Sequence, residues 1–307
     1  MDSYNIAVIL TCFNRKEKTL SCLRGLYEAQ KAYSQAHLSL GIYLTDDGCT
    51  DGTAQAVRDA FPDKDITILQ GDGNLYWAGG MRFAWREALK RKNHWDFYLL
   101  LNDDTTPMDN MFYELFGAHE YCQRTFRTVG VYSGVTCDKD DPSVITYGGA
   151  IWVNKFLGTD KRLNPSGIPQ EVDKTNANIL LVAKEVTDKI GIFYEGYRHG
   201  AADYDYSIQA KKRGFKALIS SNVCGKCERD HLNEESVREK ICKMSSKERY
   251  TYFSSPVHSK HDTLLSRKRN APWTYPIKWI SMTLNEELPI IGCFLYKIKH
   301  FLLNDKN

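Results

Sequence analysis

The stretch Phe97-Tyr98-Leu99-Leu100-Leu101-Asn102-Asp103-Asp104-Thr105-Thr106-Pro107 decides how the chain is read. Its opening apolar run, Phe97 to Leu101, fits a strand buried on both faces, as parallel sheets require. The run stops abruptly at Asn102-Asp103-Asp104. Adjacent carboxylates repel, and placing them at the tip of a buried strand costs stability unless a cationic or protic group meets them. Asn102 and Asp104 share one face of an extended backbone. They make an oxygen-rich corner of the kind that Mg²⁺ or Mn²⁺ uses together with phosphate oxygens. An Asx turn leading into Pro107 accounts for one acid, but not for two behind such a run.

Working outward, the same grammar repeats. Ile6 to Leu10 is a second buried strand, followed by a polar turn from Thr11 to Lys16 and a helix with apolar Leu20, Leu23, Leu26 and Tyr27. Leu40 to Thr45 predicts a strand, about Gly52 to Ala60 a helix, Ile66 to Leu69 a strand, and Gly79 to Lys92 the helix before Phe97. Strand, polar loop and helix in alternation predict an α/β protein with a mostly parallel central sheet flanked by helices. Beyond Thr106 the pattern loosens into short strands at Val129–Val135, Val144–Val153 and Ala177–Val182. Helices follow at Ala183–Ile190 and Tyr204–Arg213, the latter closed by Gly214. Glu228 to Lys268, rich in Lys, Arg, Glu and Ser, reads as solvated helices and loops of a C-terminal extension.

The bulk numbers exclude several classes. Forty-one Lys and Arg face 38 Asp and Glu, a net charge of +3, too balanced for a nucleic-acid binder. The N-terminal apolar run is too short to span a bilayer and lacks signal-peptide flanks, so a cytoplasmic protein is expected. Nine scattered cysteines fit reduced thiols better than a disulfide framework. Cys224 and Cys227, with His231 and Cys242 downstream, have something of a zinc site, but their irregular spacing favours ordinary thiols. The tail from Leu288 to Leu303 predicts a helix packing on the domain or on a second copy, or an amphipathic segment lying peripherally on a membrane.

Two further acidic clusters stand near the ends of strands, where open parallel sheets hold ligands. Asp46 and Asp47 follow the second strand and can accept hydrogen bonds from a base or from ribose hydroxyls. Gly48 permits the turn, and Asp51 or Thr53 caps the next helix. Asp203 stands at a predicted helix N-cap and Asp205 in the first turn, where the macrodipole keeps a carboxylate ionised and able to serve as a general base.

Together these segments resemble family 2 glycosyltransferases of the GT-A fold, in the rhamnosyltransferase-like branch of bacterial surface-polysaccharide enzymes. The pieces that carry the resemblance are VILTCFNR, TDDGCTDGT, GNLYWAGGM, LLLNDDTTP and GAADYDYSIQAKKRGFKA, in family order over roughly residues 5 to 220. It implies a GT-A catalytic domain over 1–225, with a nucleotide-binding part to about 106 and an acceptor part from 107, before a helical extension over 226–307. It implies a nucleotide-sugar donor, a divalent metal, inversion at the anomeric carbon, and a glycan or lipid-linked acceptor. By position, Thr11, Phe13, Arg15, Asp46 and Asp47 would bind the nucleotide. Gly73, Asn74, Trp77, Gly79 and Gly80 would line the donor site beside Asn102. Asp103 would reach the ribose or sugar, Asp104 the metal, and Asp203 would be the base, with Asp205 the alternative. His199 and Tyr204 would lie on the acceptor side. Asn102 stands where the family often has an acid, and Ala202-Asp203 replaces its Glu-Asp pair.

Other functions fit less well. A nucleotidyltransferase needs a glycine-rich basic loop after the first strand, which TCFNRK does not supply. GDGNLYWAGG lacks the glycine spacing of a dinucleotide oxidoreductase. A nucleotide-sugar-binding remnant without catalysis is the non-enzymatic alternative, motivated by Ala202 and Asn102.

Overall fold

A computed structural model of the chain describes residues 2–155, 158–228, 234–289 and 291. Its first half alternates as the apolar runs dictate: β1 (Asp2–Cys12), α1 (Lys16–Ala32), β2 (Ala36–Asp46), α2 (Thr53–Ala60), β3 (Ile66–Gln70), α3 (Tyr76–Leu89) and β4 (Phe97–Leu101). β4 has the predicted bounds, and none of its side chains is more than 4% exposed. Each such side chain contributes about 1.5–3 kcal/mol by leaving water. After the acidic tip come β5 (Thr106–Pro107), α4 (Met111–Phe126) and β6 (Gly130–Cys137). The predicted 144–153 strand divides at Gly148 into β7 (Ile145–Tyr147) and β8 (Gly149–Asn154). Then follow β9 (Thr159–Arg162), β10 (Gln170–Glu171), β11 (Lys174–Thr175), β12 (Ile179–Ala183), α5 (Lys184–Ile190), α6 (Ala202–Lys212) and β13 (Lys216–Lys226). Helices α7 (Glu234–Lys243), α8 (Ser246–Ser254), α9 (Lys260–Asn270) and α10 (Tyr275–Glu287) complete the described chain.

The strand order of the main sheet is β10-β13-β6-β12-β4-β1-β2-β3, while β11, β8 and β9 form a small second sheet. β4, β1, β2 and β3 are parallel, as alternation requires. The sheet as a whole is mixed, because β12 enters antiparallel to both β4 and β6. This insertion positions the site. Cys12 pairs with Asp46 and Ile9 with Leu100, so β1, β2 and β4 end at one edge. Ile179 pairs with Leu101, so the segment entering β12 arrives at that edge from the opposite direction.

Two readings of the second half need correction. α6 starts at Ala202 rather than Tyr204, because Ala201 (φ 62°) takes the N-cap place; Asp203 is therefore inside the helix and is not its cap. The region read as solvated contains α9, whose Asp262 and Leu264 are buried.

Candidate active site

The cation demanded by the β4 tip is Arg15. The chain leaves β1 through Asn14, whose φ of 50° lies in the left-handed region, and Asn14 Oδ1 accepts from the Thr50 N–H at 2.7 Å. The turn brings Arg15 to the start of α1, with Nη1 2.6 Å from Asp104 Oδ2 and 3.4 Å from Asp103 Oδ1. Thr19 Oγ1 donates to Asp103 Oδ2 at 3.4 Å. Burial, reinforced by the neighbouring Asp104, pushes the Asp103 carboxyl up to about 7 despite Arg15. The Cys227 thiol, from the end of β13, lies 3.9 Å from Asp104 Oδ1.

The β2 tip is engaged by its own loop and the next. Asp46 Oδ1 accepts from the Cys49 N–H at 2.7 Å across the turn made by Gly48 (φ 78°). Asp47 accepts from the N–H groups of Gly73 (2.9 Å), Leu75 (3.3 Å) and Tyr76 (3.0 Å). Tyr76 has a φ of 54°, a conformation a bulky residue keeps only when its surroundings enforce it, and the Asp47 carboxylate enforces it. Asp51 bridges two helix starts, accepting from Lys16 N and Thr53 N.

From Asp47 a hydrogen-bonded line crosses the sheet edge. The Tyr76 held by Asp47 is followed by Trp77, whose Nε1 donates to Asn102 Oδ1 at 2.8 Å. The Asn102 N–H donates to the Asn178 carbonyl at 3.0 Å. Ala177, next in the chain, donates its N–H to Asp203 Oδ2 at 3.2 Å. The acids of three distant segments are thus linked along the edge where β2, β4 and the approach to β12 meet.

Asp203 and Asp205 are separated by their partners. Asp203 accepts from the N–H groups of Ala177 and Tyr204, and burial pushes its carboxyl up to about 6. Asp205 is 2% exposed and turned to α9, receiving Arg269 Nε at 3.1 Å on both oxygens and Asn270 Nδ2 at 2.7 Å. Both of its oxygens are thus engaged by side chains of α9.

The remaining expected residues fall in three groups. Phe13 is 54% exposed, and Asn74 is exposed, with its N–H on Asp72 Oδ1. Thr11, Gly79 and Gly80 are buried: Gly80 lies so close to Thr11 that a Cβ would collide with its hydroxyl, and its carbonyl accepts from Thr45 Oγ1 at 2.8 Å. Gly80 thus lets α3 approach the sheet at Thr11. On the other flank, Tyr204 Oη accepts from Asn176 Nδ2 at 3.1 Å, and the His199 N–H donates to Asp262 Oδ2 at 2.7 Å.

Sequence reasoning missed Asn178, Arg82, Asp262 and Arg269. Asn178 stood at the start of a strand, and the other three lay in segments read only as helix or solvated extension. None carries a local signal, because each acts on residues far away in the chain. His231 and most of the tail from Leu288 fall outside the described residues.

The donor set suits a hard cation. The Arg15 guanidinium, with a side chain 44% exposed, already fills a cation's place between Asp103 and Asp104. Among the described residues no group of three His, Cys, Asp or Glu side chains that could hold a metal ion occurs. A shallow hollow of about 490 Å³ bordered by Tyr27, Lys31, His37 and Lys64 lies at the opposite ends of the strands, away from every one of these acids. Among the described residues no helix is long and apolar enough to cross a membrane.

Solved structures share this architecture. The mannosyltransferase PcManGT from Pyrobaculum calidifontis, in complex with GDP-Man and Mn²⁺, is 16% identical, with 97% of this chain and 79% of that chain covered at a TM-score of 0.51. S. aureus TarS 1-349 is 14% identical, with 92% and 73% covered at 0.51. The same TarS fragment in complex with UDP-GlcNAc is 12% identical, with 86% and 71% covered at 0.51. At these identities the likeness establishes the fold, which is GT-A. No curated protein matches the chain. The family model for glycosyl transferase family 2 matches residues 7–169. That match spans more than half of the chain, which therefore belongs to glycosyl transferase family 2 and is a glycosyltransferase.

Proposed function

We propose that the enzyme transfers a sugar from a nucleoside-diphosphate donor to a hydroxyl of a glycan or lipid-linked acceptor, with inversion at the anomeric carbon and Asp203 as general base. The observation that carries this reading is the continuous line from Asp47 through Trp77, Asn102 and Asn178 to Asp203, which joins a donor flank to an acceptor flank. Along it, residues 1–106 supply the donor flank and 107–225 the acceptor flank.

Asp203 is suited to the role by its environment. Burial raises its proton affinity while two backbone N–H groups fix its direction, so at neutral pH it is ionised, aimed and basic enough to take a hydroxyl proton. Direct displacement then needs the leaving diphosphate on the opposite face. Asp104, with Asp103 beside it, would hold Mg²⁺ or Mn²⁺ there, and the metal would neutralise charge on the departing phosphates. Arg15 must release Asp104 for that to happen. Its exposed side chain can swing outward and pair with a phosphate instead. Trp77, fixed by Asn102, offers a rigid wall to the donor.

The GDP-mannose and UDP-GlcNAc of the similar structures indicate the donor class. A deoxyhexose donor would follow from the rhamnosyltransferase-like branch. The test is transfer from a panel of nucleotide sugars with Mn²⁺, the product's anomeric configuration being read by NMR. Inverted product from the wild type and none from Asp203→Asn is expected; retained configuration overturns the reading.

A further inference from the structure

The segment leading to Asp203 is held from two sides by charged side chains, one from α3 and one from α9. Residues 194–200 run from the end of α5 to the start of α6. On one side Arg82 of α3, itself 8% exposed, donates Nη1 to the carbonyls of Tyr197 at 2.7 Å and Tyr194 at 3.2 Å. On the other, Asp262 of α9 is 4% exposed and gathers three successive backbone N–H groups. Those of Arg198, His199 and Gly200 reach its Oδ2 at 3.1, 2.7 and 2.9 Å. Three consecutive amides aimed at one carboxylate form an anion-binding concavity, which a side chain of this chain fills.

The next residue explains what the clamp holds. Ala201 has φ 62° and ψ 2°, a left-handed conformation that an alanine rarely adopts. That bend starts α6 and aims its second residue, Asp203, at the Ala177 N–H. Two turns along α9 from Asp262, on the same face, Arg269 grips Asp205 on both carboxylate oxygens and lies 3.8 Å from the Tyr194 ring. The two grips fall on either side of Asp203 in the sequence.

We propose that Asp262 and Arg269 are positioning residues: α9 of the C-terminal extension holds the bent entry to α6 so that Asp203 faces the acceptor hydroxyl. The proposal rests on Asp203 being the base. It makes the extension part of the catalytic apparatus through residues that act on the Asp203 segment and not on substrate. A displacement of about 1 Å in a reacting group can cost about a hundredfold in rate. Loss of the clamp is therefore read in kcat, with donor binding untouched.

The experiment is a double-mutant cycle on the full chain, combining Asp262→Ala with Asp203→Asn, with Leu264→Ala as control for loosening the same helix. Asp262→Ala is expected to lower kcat about 10- to 100-fold while donor KM stays within about twofold. Leu264→Ala, compared by melting temperature, is expected to keep kcat. In the Asp203→Asn background, removing Asp262 is expected to cost nothing further, because residues acting as a unit are non-additive. If Asp262→Ala fails to fold, Asp262→Asn, which keeps one acceptor oxygen, gives the same reading at smaller amplitude. Equal kcat losses in Asp262→Ala and Leu264→Ala at equal melting temperature overturn the proposal, as does full additivity with Asp203→Asn. Wild-type kcat in Asp262→Ala beside a dead Asp203→Asn overturns it alone. Near-normal transfer by Asp203→Asn removes the base assignment, and the positioning role with it.

Discussion

The proposed donor and acceptor flanks solve the problem of buried carboxylates in different ways. At the β2 and β4 tips the acids are met chiefly by loops of the first half of the chain: Asp46 by Cys49, Asp47 by residues 73–76, and Asp103 and Asp104 by Arg15. On the acceptor flank the partners come from elsewhere. Asp205 waits for Arg269, and the entry to α6 for Asp262, both in the C-terminal helices. The donor flank is a property of the sheet, whereas the acceptor flank is complete only when a later segment has packed against it.

This contrast is broken or sharpened by substitutions on each side. Asp203→Asn is expected to lower kcat by about 10²- to 10⁴-fold, the range for a lost general base, with donor affinity unchanged. Asp104→Asn is expected to do the reverse, abolishing Mn²⁺-dependent thermal stabilisation by donor while the metal-free melting temperature holds. Calorimetric donor titration of both variants checks the pair. Asp205→Ala leaves Arg269, 27% exposed, without its anion. It should destabilise by the lower end of the ~3–5 kcal/mol seen when buried pairs are broken, measured by urea unfolding.

The pH profile is a finer probe. As the proposed base Asp203 must be deprotonated to act, and burial pushes its carboxyl up to about 6, so kcat/KM should fall about tenfold per unit below that pH and be level above it. The same shift works against stability: the native carboxyl binds its proton more tightly than the unfolded chain, whose value is near 3.8. This group's contribution therefore weakens as pH rises from 3.8 towards 6. An acid limb surviving unchanged in Asp203→Glu and Asp203→Asn alike would assign it to another group. Gly80→Ala gives the smallest effect, about 1–3 kcal/mol of overpacking against Thr11, seen as a lower melting temperature with donor KM little changed if Gly80 only packs α3 on the sheet.

The contrast also explains what could be read from the sequence. β4 and its acids were legible to the residue, because a buried strand ending in charge is a local pattern. The alternation up to β4 was legible for the same reason. The antiparallel β12 was not, since an apolar run states burial but not direction. β13 was missed because its apolar run, Ala217 to Ile219, is short and the residues after it are mostly Ser, Asn, Cys, Gly and Lys. α9 looked solvated because its charges were counted without partners; Asp262 and Arg269 are charged residues facing inward, which only three-dimensional pairing reveals. The start of α6 was misplaced because an alanine in the left-handed region has no signature in sequence.

The central claim is that these acids border one sugar. Crystals grown with Mn²⁺ and a nucleoside-diphosphate sugar, measured at a wavelength where manganese scatters anomalously, address it directly. The expected map shows the anomalous peak on Asp104, Arg15 swung from Asp104 to a phosphate, and the sugar between that peak and the Asp203 carboxylate. A manganese peak away from Asp104, or a donor sugar lying out of reach of Asp203, would contradict it.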